Sequence, residues 1–280
     1  MLTDYHVHLR PDDEGTAAGE YFTAGNAERF RAAAEEHGIA ELGVSEHIHR
    51  FRQSLEIWQH PWWRKWARDD VDDYCAFVRE ETDLRLGIEM DFVAGREDRI
   101  AAFLEGREWD YVVGSVHFVG DAAVDLEGTE WEHVWGRGDR PERIWQRYFE
   151  TLAEAARSGL YDIMAHPDLV KVWGSARPAP ERDPRHFYEP AVEAMLDAGV
   201  AMEMSTAGLR KPAGELYPAP ALLAMAVDAG LPIALSSDAH VPDQLGYGYD
   251  QALELLDSLG VTELSVFERR ARRLEPIGAT

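Results

Sequence analysis

Basic side chains are scarce in this sequence. Lysine and arginine together number 28 against 52 aspartates and glutamates, a formal net charge of −24 with histidine neutral. That balance argues against a nucleic-acid partner, because backbone binding depends on clustered Lys and Arg neutralising phosphates. It argues equally against an anionic membrane surface. Cysteine is nearly absent: Cys75 stands alone, so no internal disulfide can form and a reducing cytoplasm is the expected compartment. No apolar run approaches the ~20 residues that span a bilayer. The opening Met1-Leu2-Thr3-Asp4-Tyr5-His6 lacks the basic n-region and apolar h-region of a secretory signal. Repeats, low-complexity tracts and linkers are missing too, and residues 1–280 are expected to form one domain. What remains, 45% hydrophobic and 29% charged, has the composition of a folded protein.

Short apolar runs rich in Val, Ile and Leu alternate with stretches of helical period. The runs predict strands over 2–6, 41–45, 85–91, 111–115, 162–165, 200–205 and 232–236. Helices are predicted over 26–37 with Asn26 as N-cap, over 69–81 starting at Asp69 or Asp70, and over 97–105. Others are expected over 141–158 with Pro141 in an N1-like position, and over 188–198, 218–229 and 244–259. Seven strands each followed by a helix favour a closed parallel barrel or a large open parallel sheet. Two connections are long: 47–68 holds His49, Trp58, His60, Trp62, Trp63 and Trp66, and 118–140 holds Trp131, His133 and Trp135. Such segments serve as lids or binding loops, or their aromatics cover barrel ends or a subunit contact, which permits a homodimer. The last segment, 261–280, is a basic end with Arg269-Arg270 and Arg272-Arg273, suited to capping the barrel bottom or pairing with acidic surface.

The histidines concentrate at strand ends. His6 and His8 close the first strand on one face. His47 follows the second, Glu89 lies in the third, His117 follows the fourth and His166 the fifth. Asp238 and His240 follow the seventh. Six of eleven histidines thus sit at the carboxyl ends of predicted strands, which in a parallel barrel converge on one mouth. Imidazole and carboxylate suit divalent Zn, Mn or Fe. These groups exceed the ligands of one open site, so a cluster of two or three ions sharing a carboxylate fits better. His37 is placed at a helix C-terminus; His49, His60, His133 and His186 are expected in solvent.

The sequence has only three lysines: Lys65, Lys171 and Lys211. Lys171 and the Arg210-Lys211 pair follow predicted strands closely. Cations at the mouth of an acidic protein point to a bound anion, with phosphate the natural candidate. Glu203, on the sixth strand, is suited to a substrate amine, a neighbouring arginine, or pairing within the barrel.

The ordered set His-x-His, Ser-x-His, Gly-Ile-Glu, Gly-Ser-Val-His, Ala-His-Pro-Asp and Ser-Asp-Ala-His resembles the PHP (polymerase and histidinol phosphatase) superfamily over residues 4–240. The stretch Glu203 to Pro212, followed by Glu215-Leu216-Tyr217-Pro218, looks like its histidinol-phosphate phosphatase branch. The resemblance implies a distorted (β/α)7 barrel binding three divalent metals at its C-terminal mouth. It implies His6, His8, Glu89 and Asp238 on a first ion, with Glu89 bridging to a second held by His117 and His166. His47 and His240 would hold a third. The family adds one more histidine for that ion; here either Asp12 or Glu14 stands in its place. The implied activity is phosphomonoester hydrolysis, with L-histidinol phosphate as substrate and a metal-bridging hydroxide attacking phosphorus in line. Lys171, Arg210 and Lys211 are the candidate phosphate contacts, and Asp238, His240 and Asp168 the candidates for protonating the leaving group. The rival readings are a PHP phosphoesterase for a nucleotide or sugar phosphate, and a metallo-amidohydrolase on an eight-stranded barrel.

Overall fold

The computed structural model describes residues 1–126 and 140–278. The strands are β1 (Leu2–Asp4), β2 (Ile39–His47), β3 (Arg85–Asp91), β4 (Tyr111–Ser115), β5 (Phe118–Val119), β6 (Ala122–Ala123), β7 (Ile163–Met164), β8 (Ala201–Ser205), β9 (Ile233–Ser236), β10 (Glu263–Glu268) and β11 (Ala271–Pro276). Seven of them form one sheet in the order β1-β2-β3-β4-β7-β8-β9, every neighbouring pair parallel. The sheet curls until its edges meet: Val7 bridges to Ala239, and the His8 N–H donates to the Ala239 carbonyl at 2.8 Å. The result is the expected α/β barrel with helices outside. β4 and β8 are buried along their whole length, as strands covered on both faces must be. Among the described residues no helix is long and apolar enough to cross a membrane.

Local chemistry sets most helix ends. Asp70 caps Val71–Glu81 by accepting from Asp72 N at 2.9 Å and Asp73 N at 3.3 Å. Pro141 opens Pro141–Arg157, and Gly199, at φ 69°, closes Arg185–Ala198 in the left-handed conformation that glycine tolerates. The first helix, Ala24–Glu36, is capped by Thr23 rather than Asn26. Asn26 is otherwise engaged, since its Nδ2 donates to the carbonyls of Leu9 and Tyr21, both at 3.1 Å. It ties the loop after β1 to the helix.

The Trp-rich connection is largely core. Trp58, Trp63 and Trp66 are buried, and the segment folds into short turns and the helix Pro61–Trp66. His49 is buried here rather than solvated, because the turn Ile48–Arg50 tucks its ring against His47, centroids 4.8 Å apart. His60 is half-buried, accepting from Trp62 N at 3.2 Å and stacking on Trp58. His186 is exposed as expected, while Trp131, His133 and Trp135 lie outside the described residues.

The lower end of the barrel is plugged by aromatics. Tyr5 and Tyr111 pack edge to face at 4.9 Å, and Phe267 from the β10–β11 hairpin meets Tyr5 at 5.5 Å. The basic C-terminal segment closes this end: Arg270 pairs with Asp162 at 2.8 Å, and Arg272 donates to the Gly199 carbonyl at 2.7 Å. Tyr111 fits only because its neighbours on β2 and β3 have no side chain. A Cβ at Gly43 or Gly87 would come within 2.3 Å of the Tyr111 side chain. Gly87→Ala is therefore expected to cost about 1–3 kcal/mol through overpacking, read as a lowered urea midpoint. Tyr111→Phe is expected to be neutral or mildly stabilising, because the buried hydroxyl has no hydrogen-bond partner among the described residues. A wild-type midpoint for the glycine variant would contradict this packing.

Candidate metal centre

Each strand delivers its side chain at the carboxyl edge. The chain beyond β1 stays extended between β2 and β9, so His6 and His8 point into the mouth together. His47 ends β2, opposite Glu89 in the β2–β3 register. His166 and Asp238 leave β7 and β9 with φ of 23° and 52°. Such values strain a non-glycine residue by about 1–3 kcal/mol and collect at functional sites. At His166 the turn is held by its own N–H, which donates to Glu203 Oε2 at 2.5 Å.

Glu89 is the centre of the cluster, fully buried. Its Oε1 lies 3.3 Å from His6 Nε2, 3.3 Å from His166 Nε2 and 3.4 Å from His117 Nε2. Its Oε2 meets His47 Nδ1 and stands 3.7 Å from His8 Nε2. Asp238 Oδ1 is 3.4 Å from His8 Nε2 and 3.8 Å from His6 Nε2. Four overlapping groups can each hold an ion with ligand atoms within 4.8 Å of one another: His6/His8/Asp238, His6/Glu89/His166, His47/Glu89/His117 and His8/His47/His240. Asp12 completes the outer edge, its Oδ2 3.4 Å from His240 Nε2. Glu14 instead pairs with Lys65.

Behind these groups stands a layer of orienting acids. Glu203 Oε1 binds His6 Nδ1 at 2.8 Å and accepts from the Ser236 hydroxyl. The anticipated role toward a substrate amine is therefore corrected: Glu203 is buried beneath His6, both oxygens engaged. Asp91 binds His117 Nδ1 at 2.5 Å and accepts from the Ser115 hydroxyl at 3.2 Å. Reading the sequence alone missed Asp91, although it lies two residues beyond Glu89 on the same strand face. Such partners fix a ligand's tautomer and direction.

The cations fare differently from expectation. Lys171 is corrected as a free phosphate contact, since its ammonium is held by Asp168 at 2.9 Å, Glu215 at 3.0 Å and the Leu216 carbonyl at 2.8 Å. Asp168 Oδ2 also accepts from the Ala219 N–H at 2.7 Å, while its buried Oδ1 has no partner among the described residues. Arg210 stays at the mouth: Nη2 donates to the carbonyls of Ser237 at 2.7 Å and Asp238 at 3.0 Å, while buried Nη1 has no partner among the described residues. Lys211 is exposed.

The donor set fits divalent metal ions. Among the described residues, buried His6 Nε2, both ring nitrogens of His8 and Asp238 Oδ1 have no hydrogen-bond partner. Nitrogens and oxygens left bare together in a dry cluster are what a cation would satisfy. The electrostatics agree. Burial opposes charge on Glu89, but His47, His6 and His117 outweigh it and hold the carboxyl well below its usual range. Burial likewise opposes a charged His117, yet Glu89 and Asp91 push its pKa up to about 10. Burial and His240 lower His8 to about 3.

Without metal, the folded protein thus binds a proton at His117 that the unfolded chain releases near 6.5. That contribution to stability is complete below about pH 6.5 and is lost as pH rises toward about 10. The melting temperature of chelated protein is expected to fall across that window, and zinc added at pH 8 to release protons into an indicator dye. Asp91→Asn is expected to weaken metal affinity about 10–100-fold. Zinc uptake without proton release would contradict the assignment.

A PHP domain family model matches residues 21–207. A probable histidinol-phosphatase of Deinococcus radiodurans is 30% identical, the alignment covering 98% of this chain and 99% of that protein. The histidinol-phosphatase of Bacillus subtilis is 27% identical over 63% of this chain and 70% of its own. Among solved structures, the histidinol phosphate phosphatase of Lactococcus lactis, complexed with zinc, L-histidinol and phosphate, superposes with a TM-score of 0.70. It is 21% identical and covers 97% of this chain and 98% of its own. The seven-stranded barrel and the ligand cluster at its mouth agree with the family-model match and the end-to-end Deinococcus likeness: the chain belongs to the PHP domain family.

Proposed function

We propose that the protein hydrolyses L-histidinol phosphate to L-histidinol and inorganic phosphate, using two or three divalent ions (Zn, Mn or Fe) at the barrel mouth. The observation that carries the reading is the set of overlapping His/carboxylate groups around Glu89, in a chain aligned over 98% of its length with the Deinococcus relative. His6, His8, Glu89 and Asp238 would hold one ion, Glu89, His117 and His166 a second, and Asp12, His47 and His240 a third. Bound there, divalent ions supply Lewis acidity and bring the pKa of water toward neutrality.

The protein's own groups do the rest. Arg210 offers its free Nη1 to a phosphoryl oxygen, a planar donor already braced by two carbonyls. Lys211 adds positive charge from the rim. Asp238 is anionic: burial opposes its charge, but His6, His8 and His240 hold it well below the usual carboxylate range. It therefore serves as an anionic metal ligand rather than as a carrier of protons. The leaving oxygen takes its proton from the open mouth or from His240 beside it.

Next to the ligands is a pocket of about 300 Å³ with Trp62, Trp66 and Phe118 on its walls and His49 and Asp125 among its polar groups. Aromatic faces and a carboxylate suit a substrate carrying an imidazole and an ammonium. In this reading residues 1–280 work as one barrel domain, and the cytoplasm suits its single half-buried cysteine.

Purified protein is expected to release phosphate from L-histidinol phosphate, to stop after chelation and to recover with zinc or manganese. Arg210→Ala is expected to lower kcat/KM by roughly 10²-fold. A higher kcat/KM on nucleotide or sugar phosphates would move the substrate assignment within the same chemistry. No release from any ester with metals restored would overturn it.

A further inference from the structure

Beneath Asp12 lies a buried set of ion pairs that the reaction itself does not use. Arg50 is only 1% exposed and ends the short turn Ile48–Arg50 that follows His47. Its Nη1 donates to the Arg10 carbonyl at 2.7 Å and to Glu46 Oε2, while Nη2 donates to Asp12 Oδ1 at 2.6 Å. Glu46 in turn accepts from Leu9 N at 2.7 Å and Arg10 N at 3.1 Å. The other oxygen of Asp12 points to His240 Nε2 at 3.4 Å, and that nitrogen lies 3.3 Å from His47 Nε2. One buried guanidinium thus fastens the loop after β1 to the end of β2 and aims a carboxylate at two imidazoles.

We propose that Arg50 is a positioning residue for a divalent cation held by Asp12, His47 and His240, engaging one Asp12 oxygen so that the other faces the ion. The inference rests on the metal-dependent reading above. The Asp12 side chain is 61% exposed, on a loop where Asp13 and Glu14 are exposed as well. Left alone, a carboxylate there would sample several rotamers, and ordering it for an ion would cost entropy. Arg50 removes that freedom beforehand. Its charge would repel a nearby cation, but Glu46 is paired to the same guanidinium. The pair is neutral overall, so what the ion meets is an oriented, negatively charged Asp12. Arginine is required because only a planar fork reaches both carboxylates at once; lysine offers a single point of charge. This ion has one carboxylate, exposed and shared with a guanidinium, whereas the other two share the buried Glu89. It is therefore the weakest-held and first to exchange.

The test titrates metal-free protein with zinc, counting bound ions by elemental analysis and resolving the steps by competition with a chelating dye. Arg50→Lys is expected to weaken the last ion about 10–100-fold and leave the tighter ones unchanged, and Asp12→Asn to do the same. In the R50K/D12H double variant that ion should return toward wild-type affinity, because a neutral imidazole needs no guanidinium partner. Should R50K melt below the assay temperature, the ¹⁵N resonances of the Arg50 side chain in the wild-type protein are followed instead. They are expected to move with the last zinc equivalent and to stay still in D12N. An unchanged last step in R50K, absent rescue by D12H, or unmoved Arg50 resonances would overturn the role of Arg50. A wild-type protein that takes up no divalent ion would overturn the underlying reading instead.

Discussion

A carboxylate cut off from solvent must find its compensation within the protein, and Glu89 finds it in five imidazoles. Burying such a charge alone would cost several kcal/mol, so the surrounding shell is part of what makes Glu89 possible. Those imidazoles are ordered in turn by acids behind them, Glu203 on His6 and Asp91 on His117. Charge alternates outward from the centre: acid, imidazole, acid. The arrangement still leaves several buried nitrogens and oxygens bare, and a cation is the species that completes it. Fold and chemistry therefore share one electrostatic requirement.

The barrel supplies the geometry that meets it. Parallel strands bring their carboxyl ends to one rim, so residues as distant in sequence as His6 and His240 come together with little local design. Where a strand end does not aim its side chain inward unaided, the backbone bends to do so, as at His166 and Asp238. That strain is tolerated because the neighbouring structure over-determines it, Glu203 holding the His166 amide from the adjacent strand.

Much of this was legible in the sequence, for a physical reason. Period-2 alternation and short Val/Ile/Leu runs mark β2, β3 and β4 clearly, and a histidine just past such a run is conspicuous. What escaped depends on contacts between distant segments. Nothing near Asn26 announces that its amide is needed by Leu9, leaving Thr23 to cap the helix. His49 looks like a loop residue until the Trp-rich segment folds over it. Lys171 reads as a mouth cation because its strand neighbour is near, whereas Glu215, which claims it, arrives from 44 positions later. Arg50 and Glu46 were similarly silent, since an ion pair four residues apart is ordinary on any surface and becomes informative only once both partners prove to be buried.

The aromatic stopper at the foot of the barrel has a bearing on traffic. Tyr5, Tyr111 and Phe267 fill the axis, and the terminal hairpin is laced across them. With this floor closed by described side chains, the ligand cluster is reached from the carboxyl-end mouth. Under the proposed hydrolysis, ions, ester, water and both products would share that doorway, and whatever binds deepest would leave last.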